Sequence, residues 1–180
     1  MANNQQNLEP LHYLFETTCL EVFDSMKCKI QKVDQAQPVL AVPCAFIEAY
    51  SQEVLMTLLL RGPVSVLQQT YPLKNDTKKI EPHELNDWIS ELSNRFMGSL
   101  KNKLLAYDHA LMMGTPTKQF GVNVSNFMPE GYESYILNFQ TGREVFECSL
   151  HTKVLNADIS FILQAADDNI YLNDGELEMF

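Results

Sequence analysis

The stretch from Glu84 to Leu105 sets the strongest constraint on what this chain can fold into. On a helical wheel at about 100° per residue, Leu85, Trp88, Ile89, Leu92, Phe96, Met97, Leu100 and Leu104 share one sector of roughly 180°. So broad an apolar sector predicts a helix over 84–105 that buries this face against another layer. The opposite sector carries Glu84, Asp87, Glu91, Asn94, Arg95, Gly98, Lys101 and Asn102, and is expected to meet solvent.

On either side the pattern switches between helical and extended. Leu11, Leu14, Phe15, Cys19, Val22, Phe23 and Met26 recur at helical spacing and predict a first helix from about Glu9 to Met26. Pro10 then falls in its first turn, where a missing N–H is tolerated. Runs of β-branched and aromatic residues predict strands over 28–34, 39–49 and 53–61, with breaks at Pro38 and Ser51-Gln52. Gly62-Pro63 opens a short helix to about Gln69, which Tyr71-Pro72 ends. Residues 73–81 are charged and unpatterned, as an exposed connection is. After the long helix, His109–Val124 holds two extended pieces split by Gly114-Thr115-Pro116. Tyr132–Gln140 and Glu144–Val154 both alternate, and Thr141-Gly142 between them predicts a hairpin. The order helix, strand, strand, strand thus occurs twice, which points to a duplicated plan without evident residue-level similarity between the halves.

With 180 residues, 46% of them hydrophobic, the chain is long enough for one core that buries roughly 70% of the unfolded surface. The expected division is a single domain over 1–154 and an acidic, weakly patterned extension over 155–180, which is expected to be solvated. A net charge of -10 repels a phosphate backbone, so nucleic acid is not an expected partner. No stretch approaches the roughly 18 apolar residues of a membrane span, and the N-terminus lacks the cationic start and apolar run of a secretory signal. A cytoplasmic protein without membrane contact is the expectation. Cys19, Cys28, Cys44 and Cys148 would then face a reducing compartment and are read as free thiols, mostly in the core. His12, His83, His109 and His151 are scattered, with no H-E-x-x-H, so no zinc site is expected. Neither a phosphate-cradling G-x-x-x-x-G-K-[ST] nor a G-x-S-x-G elbow is present.

The remaining chemistry lies on the wet face of the long helix. Glu91 and Asn94, three residues apart, stand on one side, where a carboxylate and an amide together can reach into another molecule's active site. Gly98 follows one turn later, at a cost of about 1 kcal/mol relative to Ala in an exposed helix interior. Two reasons fit it: the missing bulk admits another backbone, or it accommodates a crossing of the chain's own helices. Residue types alone describe no more than an ordinary solvated helix face.

The run from Glu91 to Leu104, Glu-Leu-Ser-Asn-Arg-Phe-Met-Gly-Ser-Leu-Lys-Asn-Lys-Leu, followed by Gly114-Thr115-Pro116-Thr117, resembles the signature segment of the CheC/CheX/FliY family of chemotaxis phosphatases. The specific match extends from Leu85 to Gly121. The resemblance implies an α+β, two-layer fold, with a mostly antiparallel six-stranded sheet packed against about three helices. It also implies a phosphatase that hydrolyses the aspartyl phosphate of a CheY-like response-regulator receiver. In that family the helix docks on the phosphorylated receiver; the residue at Asn94 orients the attacking water, and the one at Glu91 pairs with the receiver's active-site lysine. Gly98 and Lys101 complete the implied partner contact. The roles are chemically sensible, because phosphoryl transfer depends mainly on positioning and charge neutralisation. A neutral amide holds a water without repelling the phosphate. Mg²⁺ is expected on the receiver's own acidic residues, with no metal or cofactor held by this chain.

CheC-like members carry a second E-x-x-N on the first helix, and the nearest equivalent here is Glu16-Thr17-Thr18-Cys19, with cysteine in place of the amide. That departure implies one site per chain, as in CheX-like members, which are homodimers joined through their sheets. Ser93 departs mildly, standing where glycine is frequent. The alternative implied by the same fold is a non-catalytic receiver-binding adaptor, or an interaction module related to flagellar-switch components.

Overall fold

The computed structural model describes residues 4–34, 42–72, 80–120 and 130–161. In chain order the elements are α1 (Asn4–Ser25), β1 (Gln31–Val33), β2 (Pro43–Tyr50), β3 (Val54–Arg61), α2 (Val64–Thr70), α3 (Pro82–Leu105), β4 (Met112–Met113), β5 (Thr117–Phe120), β6 (Glu133–Thr141) and β7 (Glu144–Val154). Among the described residues the strands form one antiparallel sheet in the order β1-β6-β7-β3-β2, and both β4 and β5 pair with the free side of β2. Gly114-Thr115-Pro116 splits that edge in two. Seven strands therefore fill the six places expected from the sequence.

The sheet order carries the duplicated plan. Exchanging β1 with β4/β5, β2 with β6 and β3 with β7 reverses the order into itself, with the β3–β7 pair at the centre. There Leu58 faces Leu150 and Leu60 faces Cys148 across the ladder. One sheet face is apolar by strict alternation: Ala45, Ile47 and Ala49 on β2, Val54, Met56, Leu58 and Leu60 on β3, and Phe146, Cys148 and Leu150 on β7 are all buried in one core. Helices α1 and α3 cover that face, α1 against β6 and β7 and α3 against β2 and β3. Phe23 of α1 joins the layers, its ring 5.3 Å from Phe96, 5.4 Å from Phe139 and 5.6 Å from Phe146. Burying each such ring contributes about 1.5–3 kcal/mol.

The long helix runs as expected, with its whole predicted apolar sector buried. Helix α1, by contrast, begins before Pro10, which sits inside it. Leu8 and Leu11 on either side of the proline are 1% and 0% exposed, so the buried face continues through it and outweighs the lost N–H. The first strand is shorter than expected because the chain closes α1 beyond Ser25: Lys27 takes a left-handed φ of 56° and the Cys28 N–H donates to the Phe23 carbonyl at 3.1 Å. Beyond β7 the core goes on, with Ile159 and Phe161 both buried. The four cysteines are buried and not joined in disulfides. The expectations for Pro38, for most of the 73–81 connection, for the end of the second extended piece near Val124 and for the acidic residues past Phe161 lie outside the described residues.

Candidate docking site on the outer face of α3

Helix α3 starts with a capping box. Glu81 is its N-cap, and the Glu81 backbone N–H donates to the Glu84 carboxylate at 2.9 Å, so Glu84 belongs to the helix start. The buried side holds the helix rotation fixed. Trp88 is 4% exposed, and its Nε1–H donates to Thr70 Oγ1 of α2 at 2.9 Å. The Thr70 hydroxyl lies 3.1 Å from both the Val66 and Leu67 carbonyls, and Tyr71 meets the indole edge-on at 5.8 Å. Ser93, where the sequence departs from the family pattern, is fully buried and donates its hydroxyl to the Ser90 carbonyl at 2.7 Å. A small residue suffices there.

With that side fixed, Asp87, Glu91, Asn94, Gly98 and Lys101 rise together along about four turns of the outer face. Their partners differ. Asp87 is ion-paired with Lys118 of β5, whose ammonium group holds the Asp87 carboxyl below its usual range. Glu91 Oε1 accepts from Arg95 Nε at 3.1 Å, and the Arg95 guanidinium carbon lies 4.9 Å from the centre of the Trp88 ring. Lys103 is tied to Glu21 of α1 at 2.8 Å, whereas Lys101 makes no ion pair among the described residues. The Asn94 side chain, partly exposed, has no hydrogen-bond partner among the described residues. At Gly98 an added Cβ would meet nothing within 4 Å. Among the described residues no crossing helix uses that gap.

The first helix offers no equivalent. Cys19 is 0% exposed, and Glu16 accepts from Lys32 at 2.6 Å and from the Tyr135 hydroxyl at 2.9 Å. Matching the buried pairs of the two helices, Leu14/Phe15, Thr18/Cys19 and Val22/Phe23 against Trp88/Ile89, Leu92/Ser93 and Phe96/Met97, puts Thr17 and Leu20 in the places of Glu91 and Asn94. The Glu16/Cys19 pairing is thus corrected by one residue, because Cys19 points into the core. Neither pair joins a carboxylate to an amide.

Sequence reasoning missed Arg95, although Glu91-x-x-x-Arg95 is the i,i+4 spacing at which opposite charges meet on a helix. It also missed a groove of about 280 Å³ beside the site, lined by Met26, Lys27, Thr70, Tyr71, Trp88 and Arg95 among others. Among the described residues no group of three or more His, Cys, Asp or Glu is placed to hold a metal ion, and no helix is long and apolar enough to cross a membrane.

No family model and no curated protein matches the sequence. Solved structures do match. A CheC-like superfamily protein from Shewanella sp. PV-4 superposes with a TM-score of 0.64 at 15% identity, over 81% of this chain and 98% of that one. The chemotaxis protein CheX from Vibrio vulnificus gives 0.63 at 14% identity, over 78% and 95%. A CheX–CheY–BeF3–Mg²⁺ complex from Borrelia burgdorferi contains a chain matched at 0.60 and 12% identity, over 78% and 96%. The helices over one face of an antiparallel sheet, with the long helix presenting its polar side outward, give this chain the CheC/CheX-like α+β fold.

Proposed function

We propose that this chain accelerates hydrolysis of the aspartyl phosphate on a CheY-like receiver domain, with the outer face of α3 as its docking surface. The observation that carries the reading is the amide of Asn94. It stands on the exposed side of a rigidly packed helix with no hydrogen-bond partner among the described residues, one turn from the open gap at Gly98. Such an amide can enter a partner's site and hold a water in line with the phosphorus, the role for which positioning supplies most of the rate. Glu91 would pair with a lysine of the receiver, its Oε2 being the oxygen that Arg95 does not engage. Gly98 would let the partner's backbone come close, and Lys101 would meet acidic groups at the rim. Mg²⁺ in this reading belongs to the receiver. The CheX–CheY complex from Borrelia burgdorferi supports the choice of partner through the shared fold. A cytoplasmic homodimer joined through its sheets is the working unit that goes with this reading.

The test is phosphate release from several phosphorylated receivers of the same cell, with and without the protein. Acceleration of at least one receiver is expected. Glu91→Ala should weaken the response mainly through KM, by about tenfold, as loss of one interfacial charge pair does. Binding without acceleration would select the adaptor reading, and no binding to any receiver would reject both.

A further inference from the structure

Within that reading, we propose that Arg95 and Lys27 form a second, specificity-determining contact, which takes a carboxylate of the receiver into the groove beside Glu91. The groove lies where the ends of α1 and α2 meet α3, and among the described residues that line it none is a carboxylate. In a chain with 23 acidic against 13 basic side chains, a surface recess whose described lining holds two cations and no acid is a local reversal of charge. Arg95 also stands one turn from Glu91. The two therefore present opposite charges side by side, a pattern that fixes the register of a docked partner and rejects one with the wrong sign.

The geometry of both cations suits an anion. Glu91 takes only the Nε–H of Arg95, at 3.1 Å, and the two terminal amino groups of the guanidinium have no partner among the described residues. Its place over the Trp88 ring and its bond to Glu91 hold the planar fork, so it meets a carboxylate with two parallel hydrogen bonds and little loss of side-chain freedom. Lys27 stands two residues past the end of α1, in a left-handed conformation with φ of 56°, where glycine carries less strain. A lysine there keeps a charge on the groove at the expense of backbone comfort.

Arg95→Ala, Arg95→Glu and Lys27→Gly test the contact, with affinity measured calorimetrically for beryllofluoride-loaded receivers and turnover for phosphorylated ones. Arg95→Ala should raise Kd and KM by about tenfold, as loss of a charge-assisted hydrogen-bonded pair does, and the effect should fall on KM rather than kcat. Arg95→Glu should be worse, and a receiver in which one carboxylate near the active-site lysine is changed to lysine should recover binding to it. Lys27→Gly is the decisive variant. Relief of strain should raise Tm by about 2–4 °C while Kd rises severalfold, a pairing that a purely structural lysine does not produce. Wild-type affinity in both Arg95→Ala and Lys27→Gly would overturn the inference while leaving the phosphatase reading intact. Failure of the wild-type chain to bind any receiver would overturn both. Binding without hydrolysis rejects the catalytic reading alone, and the Kd series still decides for or against the groove.

Discussion

Gly98→Ala adds one methyl group at a point on α3 where a Cβ meets nothing within 4 Å. Inside the isolated chain that methyl is harmless, and removing the backbone freedom of glycine from an exposed helix interior stabilises the helix by about 1 kcal/mol. For a chain of this length the gain corresponds to about 2–4 °C in Tm. Against a docked receiver the same methyl enters space that the partner's backbone occupies in the proposed complex. Overpacking a close interface costs about 1–3 kcal/mol, which is roughly a 5- to 150-fold loss of affinity. Thermal unfolding and calorimetric titration with a beryllofluoride-loaded receiver, run on the same preparations, read the two effects separately. The expected outcome is a more stable protein that binds more weakly. A lowered Tm would refute the open space at Gly98, and a raised Tm with unchanged affinity would refute the close approach.

Two further outcomes follow from the packing around the site and the buried histidines. Thr70→Val keeps the shape beside Trp88 but leaves the indole N–H without its 2.9 Å acceptor, and should cost about 1–3 kcal/mol of stability in urea unfolding; an unchanged midpoint would show that the hydrogen bond does not anchor α3. Stability should also fall on acidification in two stages. His12 and His151 have their pKa values lowered by burial, so the unfolded chain takes up protons first and stability drops as pH falls below about 6.5. Glu16 has a lowered pKa chiefly through its hydrogen bond from Lys32; its contribution is present above the ordinary carboxylate pKa and is lost as pH falls through the lowered folded value. In urea midpoints followed from neutral to acid pH, His151→Gln should flatten the upper limb and Glu16→Gln the lower one. A limb that keeps its slope in its variant would refute that assignment.

The parts of this fold legible in the sequence are those set by local periodicity. The apolar stripe from Leu85 to Leu104 repeats often enough to fix both the helix and its rotation, and so the outward direction of Glu91 and Asn94. The alternation in β6 and β7, with Gly142 at a φ of 61° in the turn, defined the hairpin as well. The central pairing of β3 with β7 was not legible, because Leu58 and Leu150 meet across the sheet from distant parts of the chain with no local signal. The start of α1 is not legible, because a proline usually marks a first turn, and here burial of Leu8 and Leu11 on both sides of Pro10 overrides it. The groove is not legible for the same reason as the sheet order: Lys27, Tyr71 and Arg95 come from three separate parts of the chain, and only packing brings them together. Arg95 alone could have been found, from its spacing to Glu91.

The central claim is that the Asn94 amide positions the attacking water. Its side chain has no hydrogen-bond partner among the described residues, so Asn94→Ala should leave folding stability within about 0.5 kcal/mol of wild type. The direct measurement is therefore the stimulated rate of phosphate release from a phosphorylated receiver at saturating protein, wild type against Asn94→Ala. A loss of at least about 100-fold with the affinity retained is predicted, since water positioning carries the rate. Release by Asn94→Ala at the wild-type rate would contradict the account.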